Sequence, residues 1–157
     1  MRVGIGYDSH RFVANRPLVL GGQSIQFDRG LEGHSDADAV AHALTDAILG
    51  AAAAGNIGSM FPDTDPRWKD ADSLALLGAA YSAVRARGFT FNQADITVLL
   101  ERPKLGPHTD AMARALAEVL ETEAGAISIK AKTNEGMGFV GRGEGVAVMA
   151  VATLEHS

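Results

Sequence analysis

His34-Ser35-Asp36-Ala37-Asp38-Ala39-Val40-Ala41-His42-Ala43-Leu44-Thr45-Asp46-Ala47-Ile48-Leu49-Gly50, continued by Ala51 to Ala54 and Gly55, is the stretch that decides the fold. Its polar opening gives way to an almost unbroken run of alanine and aliphatic side chains, the strongest helix formers. Ser35 with Asp38 three residues on has the spacing of a capping box. Gly55 supplies the stop. The expectation is a long helix ending at Ala54 with His42 in its interior. Outward from it the periods change. Met1 to Tyr7 reads as a strand with Val3 and Ile5 on one face, and Leu18 to Phe27 as a hairpin turning at Gly21-Gly22. On the other side, Asn56 to Lys69 carries Pro62 and Pro66 without a helical period and reads as a long loop. Asp72 or Ser73 opens a second helix that Gly88 ends. Phe89 to Leu100 alternates as a strand, Thr109 to Glu121 is a third helix, and Ile127 to Ala131 and Gly145 to Leu154 are apolar strands. Together they predict one α/β domain over residues 1–157, a two-layer sandwich with helices on one face of a mixed sheet.

The bulk numbers narrow the function. A chain of 157 residues, 46% hydrophobic and 21% charged, is an ordinary globular domain with a core. A net charge of -5 argues against nucleic acid or an anionic membrane as partner. The chain contains no cysteine, so a metal must be held by His, Asp or Glu. No signal sequence or apolar run of spanning length is apparent, and the cytoplasm is the expected compartment.

Two places carry chemistry. Asp8 and His10 stand two apart at the end of the first strand, so alternation sends both to one face. His42 lies on the long helix. Together they offer three N/O ligands and leave a fourth position open, the usual arrangement of a catalytic zinc. Asp38 and Asp46, at i-4 and i+4 from His42, are the expected acceptors for its far ring nitrogen. The spacing alone also fits a turn or a salt bridge. The second place is Gly136-Met137-Gly138-Phe139-Val140-Gly141. It matches GxGxxG literally, but a dinucleotide fingerprint needs a following helix in an early βαβ unit, and here a strand follows. Two readings stay open: a turn whose amides approach phosphate, bracketed by Lys132, Thr133, Glu135 and Arg142, or a glycine-rich hairpin with solvated charges.

Several strings converge on one family. Gly6-Tyr7-Asp8-Ser9-His10 is similar to its GxDxH opening, and His34 to Ala47 to its HSDxDxxxHAxxDA signature. Phe61-Pro62-Asp63-Thr64-Asp65-Pro66, Arg102-Pro103-Lys104, Lys132-Thr133-Asn134-Glu135 and Gly141-Arg142-Gly143-Glu144-Gly145 complete the set. From Arg2 to about Ala152 the chain resembles the 2-C-methyl-D-erythritol 2,4-cyclodiphosphate synthase family of the non-mevalonate isoprenoid pathway. The resemblance implies that the 2-phosphate of 4-diphosphocytidyl-2-C-methyl-D-erythritol 2-phosphate attacks its own β-phosphate and expels CMP. It implies Zn²⁺ on Asp8, His10 and His42, and Mg²⁺ or Mn²⁺ on Glu135. Catalytic contacts fall to His34 and Thr133, with Ser35 on the phosphates. The erythritol would lie near Asn56, Ile57, Gly58, Phe61, Pro62, Asp63, Thr64 and Asp65. The cytidine would lie on Leu100, Glu101, Arg102, Pro103, Lys104, Leu105, Gly106 and Ala131, with Lys132 and Asn134 alongside. Asn56 departs from the Asp common at that position.

The resemblance further implies a homotrimer with sheets packed around a threefold axis and active sites between subunits. An Arg142–Glu144 ring and Phe139 would then bound an axial cavity able to take an isoprenoid diphosphate. A zinc phosphohydrolase and a non-catalytic metal-stabilised oligomer are the rival readings.

Overall fold

A computed structural model describes residues 1–157. Its elements are β1 (Arg2–Val13), β2 (Leu18–Leu20), β3 (Gln23–Ile25), β4 (Gly30–Leu31), α1 (Ala39–Ala51), α2 (Ile57–Met60), α3 (Ser73–Ala86), β5 (Phe89–Leu99), α4 (Thr109–Val119), β6 (Ile127–Lys132), α5 (Gly138–Gly141) and β7 (Gly145–His156). The main sheet runs β4-β1-β7-β5-β6. It is mixed: β7 is antiparallel to both β1 and β5, whereas β5 and β6 are parallel and joined through α4. The single α/β domain with helices layered on one face agrees with the sequence reading.

α1 is the centre of the core. Eleven of its thirteen residues are buried, so it is apolar nearly all round, as a helix enclosed between a sheet and other helices must be. It lies unusually close to β1, and the reason is in the strand. A Cβ at Gly4 would stand 2.0 Å from the carbonyl oxygen of Ala47, and one at Gly6 would stand 1.8 Å from that of Ala43. Only glycine below and alanine above allow this approach. The helix-facing side of β1 is therefore Gly4, Gly6, Asp8, His10 and Phe12. Val3 and Ile5 do share a face, as alternation requires, but it is the outer one, and they are 63% and 69% exposed. With Tyr7, Met149 and Val151 they form an apolar outer sheet surface.

Other boundaries moved for identifiable reasons. Asp38, not Ser35, caps α1: its carboxylate accepts the N–H groups of Ala41, Gly21 and Gly22 at 3.0, 2.8 and 2.7 Å. One side chain thus closes the helix and ties it to the β2–β3 turn. Burial pushes that carboxyl up to about 6 against the pull of its three N–H donors. The Asn56–Lys69 stretch holds a one-turn helix, α2, whose capping box joins Asn56 to Ser59. A one-turn helix, α5, also precedes β7, yet it is far too short for a dinucleotide fold.

The β1–α1 contact makes a paired prediction. Gly6→Ala should cost about 3 kcal/mol or more, because the methyl meets backbone that cannot yield. Gly50→Ala, where the nearest atom is 3.9 Å away, should be neutral or stabilise by up to about 1 kcal/mol. Denaturant unfolding of both variants checks this; equal effects would contradict the close-approach reading.

Candidate active site

β1 and α1 bring three of the expected ligands together. Asp8 Oδ2 lies 2.7 Å from His10 Nε2 and 3.1 Å from His42 Nδ1, and the two nitrogens are 3.3 Å apart. Ligand atoms of all three residues lie within 4.8 Å of one another. Donors on a tetrahedral ion with bonds of roughly 2.0–2.1 Å stand about 3.3 Å apart, so the set fits such an ion after shifts of tenths of an ångström. The outer nitrogens are engaged elsewhere. His10 Nδ1–H donates to the Glu32 carbonyl at 2.8 Å. His42 Nε2 meets the hydroxyls of Ser73 and Ser35 at 2.8 and 3.1 Å.

That last contact corrects the expected partner of His42. Asp38 is committed to the turn and helix amides, and Asp46 Oδ1 accepts the Ile57 N–H at 2.6 Å. Neither reaches the ring. Asp46, raised by burial, instead anchors the start of α2. Burial alone would raise the Asp8 carboxyl; the imidazoles of His10 and His42 outweigh it and hold the pKa below the ordinary range. Burial alone would lower His10; its bond to Asp8 outweighs that and raises it. Without metal, a proton on His10 Nε2 satisfies Asp8 and faces the His42 Nδ1 lone pair. One divalent cation in its place would satisfy the same three atoms.

The cluster opens onto a pocket of about 450 Å³ lined by His10, Gly33, His34, Ser35, His42, Ile57, Gly58, Phe61, Pro62, Asp63, Thr64, Trp68 and Leu76. Most of the residues expected around phosphate and erythritol are therefore here. Asp65 is not on that wall: its carboxylate is held by Arg67 at 2.7 and 2.9 Å, while its carbonyl accepts the His34 Nε2–H at 3.1 Å. Asn56 uses its side-chain oxygen to cap α2, accepting the Ser59 N–H at 2.8 Å; a carboxylate could do the same. Two wall-builders went unread in the sequence. Trp68 packs edge-on against Phe61, ring centroids 5.1 Å apart. Arg16 donates to the carbonyls of Gly33 and Ser35 at 3.0 and 2.7 Å and so clamps the segment on either side of His34. Both act across many residues of sequence, where periodicity carries no signal.

The remaining expected residues form a separate unit at the β5–β6 edge of the sheet, following those two strands. Glu101 accepts the N–H groups of Asn134 and Gly136 at 3.2 and 3.0 Å, joining the Leu100–Gly106 and Ala131–Glu135 segments. Leu100 and Leu105 are buried, the Leu100 N–H donates to the Lys132 carbonyl at 3.0 Å, and the Leu105 carbonyl accepts the His108 N–H at 2.8 Å. Thr133 Oγ1 accepts the Glu135 N–H at 3.3 Å, and the Glu135 side chain is exposed. None of these residues lines the Asp8–His42 pocket. Phe139 and Arg142 lie in a second groove of about 780 Å³ that borders the first at His10 and is shared with Arg11, Phe12, Arg29 and Glu144. Arg142 and Glu144 pair within the chain at 3.1 Å. They do so around a bend at Gly143 (φ 71°), not along an extended strand.

The triad makes a direct prediction, with zinc as the probe. Wild type should retain about one ion per chain after dialysis. Asp8→Asn and His42→Ala should each lose it while keeping the far-ultraviolet circular dichroism of the parent. Full occupancy in either variant, by elemental analysis, would remove these residues from the ligand set.

Known proteins resemble this chain in sequence and fold. The sequence profile of the YgbB family matches residues 1–155. A Salinibacter ruber protein named 2-C-methyl-D-erythritol 2,4-cyclodiphosphate synthase is 56% identical over 157 residues, covering 100% of both chains. One of the same name from Syntrophus aciditrophicus is 54% identical, over 100% of this chain and 99% of its own. A solved 2C-methyl-D-erythritol-2,4-cyclodiphosphate synthase in a CDP-bound form superposes with a TM-score of 0.90 at 43% identity, covering 98% of this chain and 100% of that one. The bifunctional IspDF of Campylobacter jejuni superposes with a TM-score of 0.96 at 46% identity over 99% of this chain, which spans only 42% of that longer protein. By its profile match over residues 1–155, its half-identical relatives and its shared fold, this chain belongs to the YgbB family.

Proposed function

We propose that the protein converts 4-diphosphocytidyl-2-C-methyl-D-erythritol 2-phosphate into 2-C-methyl-D-erythritol 2,4-cyclodiphosphate and CMP, in the non-mevalonate isoprenoid pathway. The observation that carries this is the Asp8–His10–His42 cluster facing a pocket walled by His34, Ser35 and Phe61, in a chain whose half-identical relatives bear the synthase name. A 2-phosphate oxygen forms a bond to the β-phosphorus. The bond from that phosphorus to the oxygen leading to the α-phosphorus breaks, and CMP leaves with that oxygen. No protein nucleophile is needed.

The barrier is electrostatic. Two unit negative charges at 4 Å repel by about 4 kcal/mol at an effective dielectric near 20. Asp8, His10 and His42 would hold Zn²⁺ and Glu135 would hold Mg²⁺ or Mn²⁺, and these ions would supply the neutralising charge. The chain's own groups do the placing. Ser35 Oγ already accepts the Ala37 N–H at 3.2 Å, so its proton is available to a phosphate oxygen. His34, held through Nε2 on the Asp65 carbonyl, lines the pocket, and Thr133, in the segment that a neighbouring chain would bring, would contribute a hydroxyl. Phe61, Trp68 and Leu76 form the apolar wall that limits water. Holding both phosphates of one molecule makes attack effectively unimolecular and contributes several kcal/mol, about 7 or more in well-oriented cases.

The same reading assigns a homotrimer. The metal cluster and the Leu100–Gly106 and Ala131–Glu135 unit are two half-sites that one chain does not unite, and Val3, Ile5, Tyr7, Met149 and Val151 together expose apolar surface on the outer sheet face, as interaction surfaces do. Packing these faces about a threefold axis lets one chain's metal cluster meet its neighbour's cytidine-binding segments. It also sets three Arg142–Glu144 pairs and Phe139 around an axial cavity for an isoprenoid diphosphate. No helix is long and apolar enough to cross a membrane, and the cytoplasm remains the proposed compartment.

Incubation with the cytidyl substrate, followed by mass analysis, should give the cyclic diphosphate and CMP in equal amounts. Free phosphate or a linear diphosphate would mean a phosphohydrolase; no turnover by zinc-loaded protein would mean a structural metal. Glu135→Gln should raise the Mg²⁺ or Mn²⁺ concentration needed for activity with zinc content unchanged, and an unaltered titration would clear Glu135 of that role. Farnesyl diphosphate should raise the thermal midpoint of wild type but not of Arg142→Ala. An equal rise in both, or none in wild type, would refute the axial site.

A further inference from the structure

The far side of His42 is built as carefully as its metal-facing side, and it uses two residues that no reading of the site has so far required. Ser73 is the first residue of α3, fully buried, with its Oγ 2.8 Å from His42 Nε2. The same oxygen makes a short hydrogen bond to Asp36 Oδ1. Asp36 Oδ2 accepts the Ser73 backbone N–H at 3.1 Å, so both carboxylate oxygens grip one residue. The grip is itself fixed, because the Asp36 N–H donates to the Ala71 carbonyl at 3.1 Å and the Asp70 N–H to the His34 carbonyl at 2.7 Å.

The direction of this chain is forced. A carboxylate only accepts, so the Ser73 hydroxyl must donate to Asp36. Its remaining lone pairs then face His42 Nε2, which must carry the proton and donate. A neutral imidazole has one N–H, so Nδ1, the nitrogen 3.1 Å from Asp8 Oδ2, is left bare. Ser35 Oγ, at 3.1 Å from the same Nε2, has no carboxylate behind it and cannot impose this choice. We propose that Asp36 and Ser73 are positioning residues: the relay Asp36–Ser73–His42 sets the His42 tautomer and ring orientation, and thereby the metal affinity of the site. The proposal rests on the triad being a metal site, but the tautomer it requires exists with or without the ion.

Two measurements separate those claims. In ¹⁵N NMR of the metal-free wild type, His42 should be the Nε2–H tautomer, and the same tautomer should persist on adding zinc. In chelator-competition titrations at fixed pH, Ser73→Ala and Asp36→Asn should each weaken zinc binding by roughly 10- to 100-fold, with circular dichroism unchanged. The His10 Nδ1–H signal, held by Glu32, should be unmoved in both. Ser35→Ala should stay near wild-type affinity. A His42 Nδ1–H tautomer in the metal-free wild type overturns the relay. So does wild-type zinc affinity in both variants. Failure of wild type to bind zinc at all would instead overturn the metal site, and with it the relay's role in affinity, while the NMR result still decides the tautomer.

Discussion

Everything in this molecule depends on how near α1 can come to β1. Gly4 and Gly6 remove the side chains that would keep the helix away, and Ala43, Ala47 and Ala51 remove those on the other surface. The contact is backbone against backbone. It fixes the height and rotation of α1, and so puts His42 above the next two inward-facing residues of the strand, Asp8 and His10. A three-ligand site needs its donors placed within tenths of an ångström, and a packed helix–strand pair supplies that better than a loop. Asp38 adds a second restraint by closing the helix and holding the β2–β3 turn with one buried carboxylate.

The polar groups around the cluster are satisfied in a way that points every spare lone pair inward. Glu32 takes the outer proton of His10, and Ser73, backed by Asp36, takes that of His42. What remains is one carboxylate oxygen and two bare imidazole nitrogens converging on a single point, completed by a proton or a cation. Arg16 and the 34–36/70–73 pairing hold the wall beside it. Preorganisation matters because substrate phosphates bring concentrated negative charge, and groups already oriented cost nothing to reorient when it arrives.

Much of this was legible in the sequence because it is periodic or local. Asp8 and His10 share a face by strand alternation, α1 announces itself by alanine and leucine content, and Gly21-Gly22 marks its hairpin. The errors share one physical cause. Ser35 looked like the cap because the spacing is right, but Asp38 has three amides to gain. Asp38 and Asp46 looked like partners for His42 because i±4 neighbours share a helix face, yet each found a backbone donor nearer. Ser73, 31 residues from His42, is a partner only after α3 has packed. Val3 and Ile5 were rightly placed on one face, but alternation does not say which face is inside, and it took the clash at Gly4 and Gly6 to decide it. The segments Leu100–Gly106 and Ala131–Glu135 carry no periodic signal, only a family resemblance, and the single chain holds them as a unit apart from the metal cluster.

If β1 and α1 build a three-ligand metal centre, its fourth position faces the His34–Phe61 pocket. Anomalous diffraction at the zinc edge from crystals of the zinc-loaded protein tests it most directly. One ion is expected on Asp8 Oδ2, His10 Nε2 and His42 Nδ1, with a non-protein oxygen as the remaining ligand on the pocket side. An ion bound through His42 Nε2, a fourth ligand from the protein, or an ion located away from this cluster would contradict it.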